Sequence, residues 1–220
     1  MEVEPKKLGG KLKDTILTLT QSKVNYYLSL ITDGLTALTF LGLSIYYSSD
    51  VWASIALFLL GVIFFTFLEY AVHAWLFHTD HPLKVFIEGH AHHHQNPFSY
   101  DAMPFFMSAV IASLMAWLLH FIMPVADAVA FVGGLTMGYF NYGIMHHIMH
   151  RVEFKGGYWR YMQEFHFIHH KKPKMNHGVT TDIWDRVFGT YYQWTQDELK
   201  GLEKLKRIEP NKNILLRIFS

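Results

Sequence analysis

The chain contains no cysteine. That excludes a disulfide framework and any thiolate metal site, so a metal bound here has only nitrogen and oxygen donors to use. Net charge is almost absent too: 19 Lys and Arg against 18 Asp and Glu leave +1. Nothing in that balance points to a nucleic-acid partner. No internal repeat of solenoid period is present, and 220 residues suit one domain. The first 23 residues are polar, with Lys6, Lys7, Lys11, Lys13 and Lys23 and a break at Gly9-Gly10. They lack the early apolar core and small-residue cleavage site of a cleaved signal peptide.

What the chain has is apolar residues, at 51% with 16% aromatics, and they are clustered. Four segments, Val24 to Tyr47, Val51 to Ala71, Pro104 to Ile122 and Val125 to Met145, hold no Lys or Arg. Each is near the ~20 residues that a spanning helix needs. Asp33-Gly34 interrupts the first, so that helix is expected to begin nearer Leu35 or to keep Asp33 in a wet interface. Only Ser48-Ser49-Asp50 joins the first two segments and a turn at Met123-Pro124 the last two, which predicts two tight antiparallel hairpins. Five basic residues precede the first segment, Lys84 lies in the middle loop and thirteen follow from Arg151, which accounts for all 19. Both short turns have none. By the excess of Lys and Arg on the cytoplasmic side, both termini, the middle loop and the C-terminal region face the cytoplasm. Trp52 and Tyr46-Tyr47 suit the far interface, Trp75 and Tyr100 the near one. The expected fold is all-α and multi-pass: four transmembrane helices in two hairpins under a cytoplasmic helical cap. It divides into an N-terminal segment (1–23), a membrane domain (24–193) and a C-terminal tail (194–220). The tail alternates acids and bases before an apolar patch from Ile214 to Phe219, which suits a membrane surface or a solvated helix alike.

Fifteen histidines are present, and ten fall in four clusters on the cytoplasmic side. Imidazole is the commonest protein metal ligand. His73 and His78 stand five apart, a rotation of about 140° on an α-helix, so they share a site only if the helix ends or bends between them. His90, His93 and His94 follow the i, i+3, i+4 pattern of one helix face, with His92 turned away. His146 and His150 are i and i+4, with His147 rotated off, and His166, His169 and His170 repeat the three-histidine pattern. Ten imidazoles exceed what one tetrahedral zinc takes; they suit two metals of five or six coordination. A nitrogen-rich site without thiolate and with exchangeable positions favours iron, with zinc as an adventitious occupant. Carboxylates commonly orient metal-bound imidazoles, which makes Glu69, four residues before His73, the first candidate and Asp185 the second. His177 is an uncertain extra. His81 and His120 are set aside, and Lys171, Lys172 and Lys174 read as a lipid-facing or solvated patch.

The ordered set H-x4-H, H-x2-H-H, H-x3-H and H-x2-H-H, followed by GVTTDIWDRVFGTYY, resembles the fatty acid hydroxylase and sterol desaturase superfamily of membrane di-iron enzymes. Within it, FLEYAVHAWLFH, GHAHHHQNPF, HHIMH, HFIHH and GVTTDIWDRVFGTY are most similar to the sphingolipid fatty acid 2-hydroxylases, over roughly Thr66 to Tyr191. The resemblance implies metal-ligand roles for His73, His78, His90, His93, His94, His146, His150, His166, His169 and His170. It also implies two irons, dioxygen as co-substrate and insertion of one oxygen atom into a lipid C–H bond, with 2-hydroxylation of a ceramide-like acyl chain first. Sterol or carotenoid hydroxylation or desaturation within the superfamily is the alternative, and a membrane metal transporter a more distant one. After Pro97-Phe98 the family's acid is displaced to Asp101 and its arginine is absent. Before the third box Tyr142 is kept while Gly143 replaces an acid. These departures touch substrate positioning rather than the metals. The first 23 residues leave no room for a cytochrome b5-like domain, so a separate donor is expected, cytochrome b5-like or a ferredoxin with its reductase. The membrane would be the endoplasmic reticulum of a eukaryote or the inner membrane of a bacterium.

Overall fold

A computed structural model of the chain describes residues 15, 18–79, 84–202 and 205, with the backbone alone for 84–86. The N-terminal lysines before Lys23, the His81-Pro82 turn and the apolar patch from Ile214 to Phe219 lie outside the described residues. Among those described the structure is all-helical. Helix α1 runs Lys23–Tyr47, α2 Val51–Ala71 with a π-helical continuation over Val72–Phe77, α3 Lys84–Gln95, α4 Met107–Leu119 and α5 Val125–Arg151. Helix α6 is Gly157–Lys171, α7 Ile183–Phe188 and α8 Gln196–Leu199.

Local chemistry sets the ends. The Ser22 hydroxyl accepts from Asn25 N at the start of α1, and the Asp50 carboxylate accepts from Trp52 N and Ala53 N at the start of α2. Both supply acceptors for amides that have no partner within the helix. Helix α1 does not wait for Leu35: it passes unbroken through Asp33-Gly34. Asp33 is buried and accepts a hydrogen bond from the Ser108 hydroxyl of α4, and Gly34 leaves room for the Phe140 ring of α5. The Asn25 amide donates to Met103 O (2.9 Å) and accepts from Phe105 N (2.9 Å), which fixes the approach to α4.

Helix α5 is the centre of the bundle, packed mainly on α1 and α2 and less on α4. Its buried stripe is built from small residues, Ala128, Ala130, Gly133, Gly134 and Gly138 among them. A Cβ added at Gly134 would collide with the Phe58 carbonyl, and one at Gly61 with the Phe131 carbonyl. The backbones of α2 and α5 therefore touch, as small residues allow between helices in a membrane.

Among the described residues two helices are long and apolar enough to cross a membrane, Lys23–Tyr47 and Val51–Phe77. The third expected segment contains only the 13-residue helix α4, a rise of about 20 Å. The fourth became the 27-residue α5, whose small residues serve burial against its neighbours. Large apolar side chains instead project outward from α1, α2 and α4, Leu35, Leu38, Leu60, Ile63, Leu114 and Leu118 among them. An apolar belt of this extent marks a membrane or protein partner.

Gly134→Leu is expected to lower stability by about 3 kcal/mol or more, because the clash is with backbone that cannot swing aside. Gly42→Ala, where an added Cβ meets nothing within 4 Å, is expected to hold or raise the melting temperature. Thermal unfolding of the two variants in the same detergent compares them.

Candidate metal centre

The ten histidines of the four clusters converge into two groups of five. His73, His78, His90, His94 and His169 form one and His93, His146, His150, His166 and His170 the other, with the facing nitrogens of each within 4.8 Å of one another. Residues adjacent in sequence part company: His93 and His94 enter different groups, and so do His169 and His170. In each H-x2-H-H cluster the i and i+4 imidazoles stay together, while the i+3 imidazole crosses to the other group. The two clusters thus exchange one histidine, on α3 and α6 respectively. The expectation that His90, His93 and His94 meet at one point is refined accordingly, since about 100° separates neighbours on a helix and the two groups lie side by side.

His73 and His78 meet because the end of α2 changes pitch. Over Val72–Phe77 the helix is π-type, whose i→i+5 bonding brings residues five apart into register. Their rings lie 5.3 Å apart and 29° from parallel.

Within the first group, Nε2 of His90 stands 3.0 Å from those of His73 and His78 and 2.9 Å from that of His94. His169 Nε2 is 3.1 Å from both His78 and His94. In the second group, His166 Nε2 lies 3.0 Å from His150 and 3.1 Å from His170, and His93 lies 3.2 Å from His170. Mutual hydrogen bonds cannot explain these approaches. One imidazole proton cannot serve the three neighbours of His90. For three ligands that proton is already committed at Nδ1: His73 faces His177 O (2.5 Å), His169 faces Met175 O (2.8 Å) and His150 faces Leu205 O (2.9 Å). Their Nε2 atoms therefore present lone pairs into their respective groups, an arrangement that a cation relieves. Nitrogens about 2.1 Å from a shared ion stand about 3.0 Å apart at right angles and about 3.4 Å apart at tetrahedral angles. The observed separations match the right-angled set, so the residues present fit a metal of octahedral type with a position to spare.

The imidazoles are held neutral. Burial, reinforced by His94 and His177, brings His78 down to about 3, and burial alone brings His94 to about 4. Burial and mutual proximity hold His90, His93, His166, His169 and His170 well below the usual range. Neutral imidazole is the form that binds metal.

The carboxylates act one step away from the rings. Glu69 accepts from Val179 N (2.5 Å), Thr180 N (2.9 Å) and the Thr180 hydroxyl (2.5 Å). Asp185, fully buried, accepts from His177 N and Gly178 N, both at 2.8 Å, and from the Thr190 hydroxyl at 2.7 Å. Neither meets a ligand imidazole; both fasten the loop from which His73 and His169 take their carbonyl acceptors. Tyr142 stacks on His146, centroids 5.6 Å apart and 8° from parallel. His177, its carbonyl aside, places its ring 5.4 Å from that of His169. His92 turns away and pairs with Asp101 at 2.9 Å. Gln163, which carries no sequence signal, donates to Met149 O (2.5 Å) and Val152 O (2.7 Å), tying the end of α5 to α6. Two open clefts reach the first group: one of 630 Å³ past His92, His94 and Phe98, one of 460 Å³ past His78, His90 and His94.

Among the described residues, helices alone carry paired five-histidine groups beside an apolar bundle, the donor set of a metal-binding helical protein. Residues 58–190 match the family Fatty acid hydroxylase, and the chain belongs to it. Among curated relatives, a dihydroceramide fatty acyl 2-hydroxylase of Arabidopsis thaliana is 33% identical over 139 residues, 59% of this chain and 58% of that protein. A mouse (Mus musculus) fatty acid 2-hydroxylase is 33% identical over 147 residues, 62% of this chain and 39% of that protein. A Schizosaccharomyces pombe ceramide very long chain fatty acid hydroxylase is 31% identical over 147 residues, 62% and 42% of the two. The chain thus spans 39% to 58% of the length of these relatives. The solved structure of full-length scs7p, with only its hydroxylase domain visible, superposes with TM-score 0.69 at 25% identity, covering 80% of this chain and 69% of that one.

Without metal, stability should be pH-sensitive. Folded-state values near 3 and 4 for His78 and His94 lie below the unfolded value of about 6.5, so the unfolded chain binds more protons below that pH. Metal-free protein is expected to be most stable above pH 6.5 and to lose stability as pH falls from there toward 4. Melting temperatures across that range, with and without added metal, measure it. Asp185→Ala, which strands two buried amides, is expected to cost about 2 to 4 kcal/mol, read by the same melts.

Proposed function

We propose that the chain is a membrane di-iron oxygenase that 2-hydroxylates a fatty acyl chain of a ceramide-like lipid, using dioxygen and an external electron donor. The observation that carries it is the pair of five-imidazole groups with edges near 3 Å. Family membership and the names of the relatives, which act on fatty acyl and ceramide substrates, support the lipid. The ten histidines would hold two irons, which would supply the dioxygen chemistry: one oxygen atom enters the acyl C–H bond and the other leaves as water, with two electrons from the donor and two protons.

The chain's own residues supply the rest. The histidines hold and separate the two ions, and the carbonyls of His177, Met175 and Leu205 set ring orientation. Glu69 and Asp185 keep the loop at 175–180 closed over the first group. Four membrane segments in two hairpins, with both termini and the metal groups on the cytoplasmic side, agree with the segregation of basic residues and the outward apolar belt. In that topology residues 24–193 form the membrane enzyme, with 1–23 and 194–220 as flanking segments. The clefts at His78 and His94 admit dioxygen and reducing equivalents from the polar side, and the acyl chain approaches from the lipid. The electrons would come from a cytochrome b5-like donor or a ferredoxin with its reductase. The membrane is the endoplasmic reticulum or a bacterial inner membrane.

Lipid mass spectrometry of host membranes with and without the protein tests the reading. A species heavier by one oxygen at the acyl 2-position is expected; loss of two hydrogens would indicate desaturation instead. His169→Ala and His93→Ala, one from each group of five, are each expected to abolish that product and to cut bound iron while membrane insertion persists. Full turnover and metal content in either variant would sink the assignment.

A further inference from the structure

The short helix α7 has two faces with different demands. Asp185, 0% exposed, faces inward onto the loop that serves the first metal group. On the outside Ile183 is 57% exposed, Val187 63% and Phe188 45%. Ile183 and Val187 are i and i+4, hence on one face. Trp75, 51% exposed on the π-helical turn of α2, packs edge-on to Phe188 with centroids 5.4 Å apart. Aliphatic side chains this exposed on a solvent-facing cap would be unfavourable, about 25 cal/mol per Å² left in water.

Their depth gives the reason. Trp184 of α7 donates its indole N–H to the Thr66 hydroxyl at 2.9 Å, and its ring lies 5.1 Å from that of Phe67. Thr66 stands five residues inside Ala71 and eleven inside the end of the π-helical continuation at Phe77, so α7 lies alongside the membrane-long helix rather than beyond its end. Helices seated in a membrane interface bury their apolar face in the lipid boundary. Ile63 and Phe64 on α2 are exposed as well, and the Phe64 ring lies 5.9 Å from that of Phe67, on which Trp184 packs. Tyr158 and Trp159, half exposed at the start of α6, stand close to α7, because Tyr158 donates to Thr180 O at 2.8 Å just ahead of it. Tyr and Trp are the residues that populate a membrane interface.

We infer that α7, with Trp75 and the Tyr158-Trp159 pair, is an interfacial element whose outer face is seated in the lipid boundary. The inference rests on α2 spanning the bilayer. The cap is then held by the membrane on one side and by Asp185 on the other, so the loop over His73 and His169 is braced between the lipid and the metal group.

The absence of native cysteine allows clean single-site labelling. Nitroxide labels at Ile183→Cys and Val187→Cys in proteoliposomes are compared with Leu60→Cys on the outward face of α2 and Asp197→Cys on the exposed α8. Power saturation with oxygen and with a water-soluble nickel chelate reads the environment. The oxygen-to-nickel ratio at 183 and 187 is expected to lie several-fold above that at 197 and to approach that at 60. A ratio at 183 and 187 equal to that at 197, with 60 still lipid-like, overturns the seat while α2 spans. An aqueous Leu60→Cys overturns the spanning reading and the seat with it. Shielding of 183 and 187 from both reagents means that protein covers this face, and overturns the lipid assignment.

Discussion

Ten imidazoles are pressed into two clusters with their ring nitrogens facing inward. Several Nε2 atoms stand about 3 Å apart, and His73, His150 and His169 have their Nδ1 committed to main-chain carbonyls. Protonation cannot relieve the arrangement, because burial and the neighbouring rings oppose the charged form. A cation relieves it, and the energy it contributes is folding energy for every segment that carries a ligand. Those segments are the π-helical end of α2, α3, the end of α5 and α6, far apart in the chain. The cap is therefore less a hydrophobic core with a site attached than a site around which a modest core closes.

Beneath it, the helical bundle works as a rigid platform. The Gly61–Gly134 approach fixes the spacing of α2 and α5, the two long helices that deliver His73, His78, His146 and His150. Asn25 sets where α4 begins, and Gln163 folds α6 back onto the end of α5. Each of these devices saturates backbone groups or excludes a side chain, and each leaves few alternative positions for the helix ends. Glu69 belongs to the same scheme. Placed one turn before the π-helical segment, it binds the 179–180 amides and so joins the platform to the cap.

The histidine clusters were legible in the sequence because i, i+3 and i+4 spacing follows from helix geometry alone. The H-x4-H pair was legible as a problem: on an α-helix it points two ways, and the π-helical turn is how the chain resolves it. The exchange of His93 and His169 between groups was not legible, because it depends on where α3 and α6 lie relative to each other. The contacts of the two carboxylates were not legible, because Glu69 reaches backbone amides contributed by residues remote in sequence and Asp185 those of a loop whose path the sequence does not fix. The four apolar runs did not reveal which helix lies at the centre, because the composition of a run does not say whether it faces outward or, as in α5, its neighbours.

The distal nitrogens of His73, His150 and His169 end on main-chain carbonyls at residues 177, 205 and 175. An acceptor of this kind is present whatever side chain stands at the position, so point substitution cannot delete it; only a change in chain length can. The orientation of these rings is thus buffered against sequence drift yet intolerant of insertions and deletions. The loop at 171–182 is constrained in length, and in residue type only where its own contacts demand it: Asn176 in the left-handed region, Gly178 against the Thr181 carbonyl and Thr180 on Glu69.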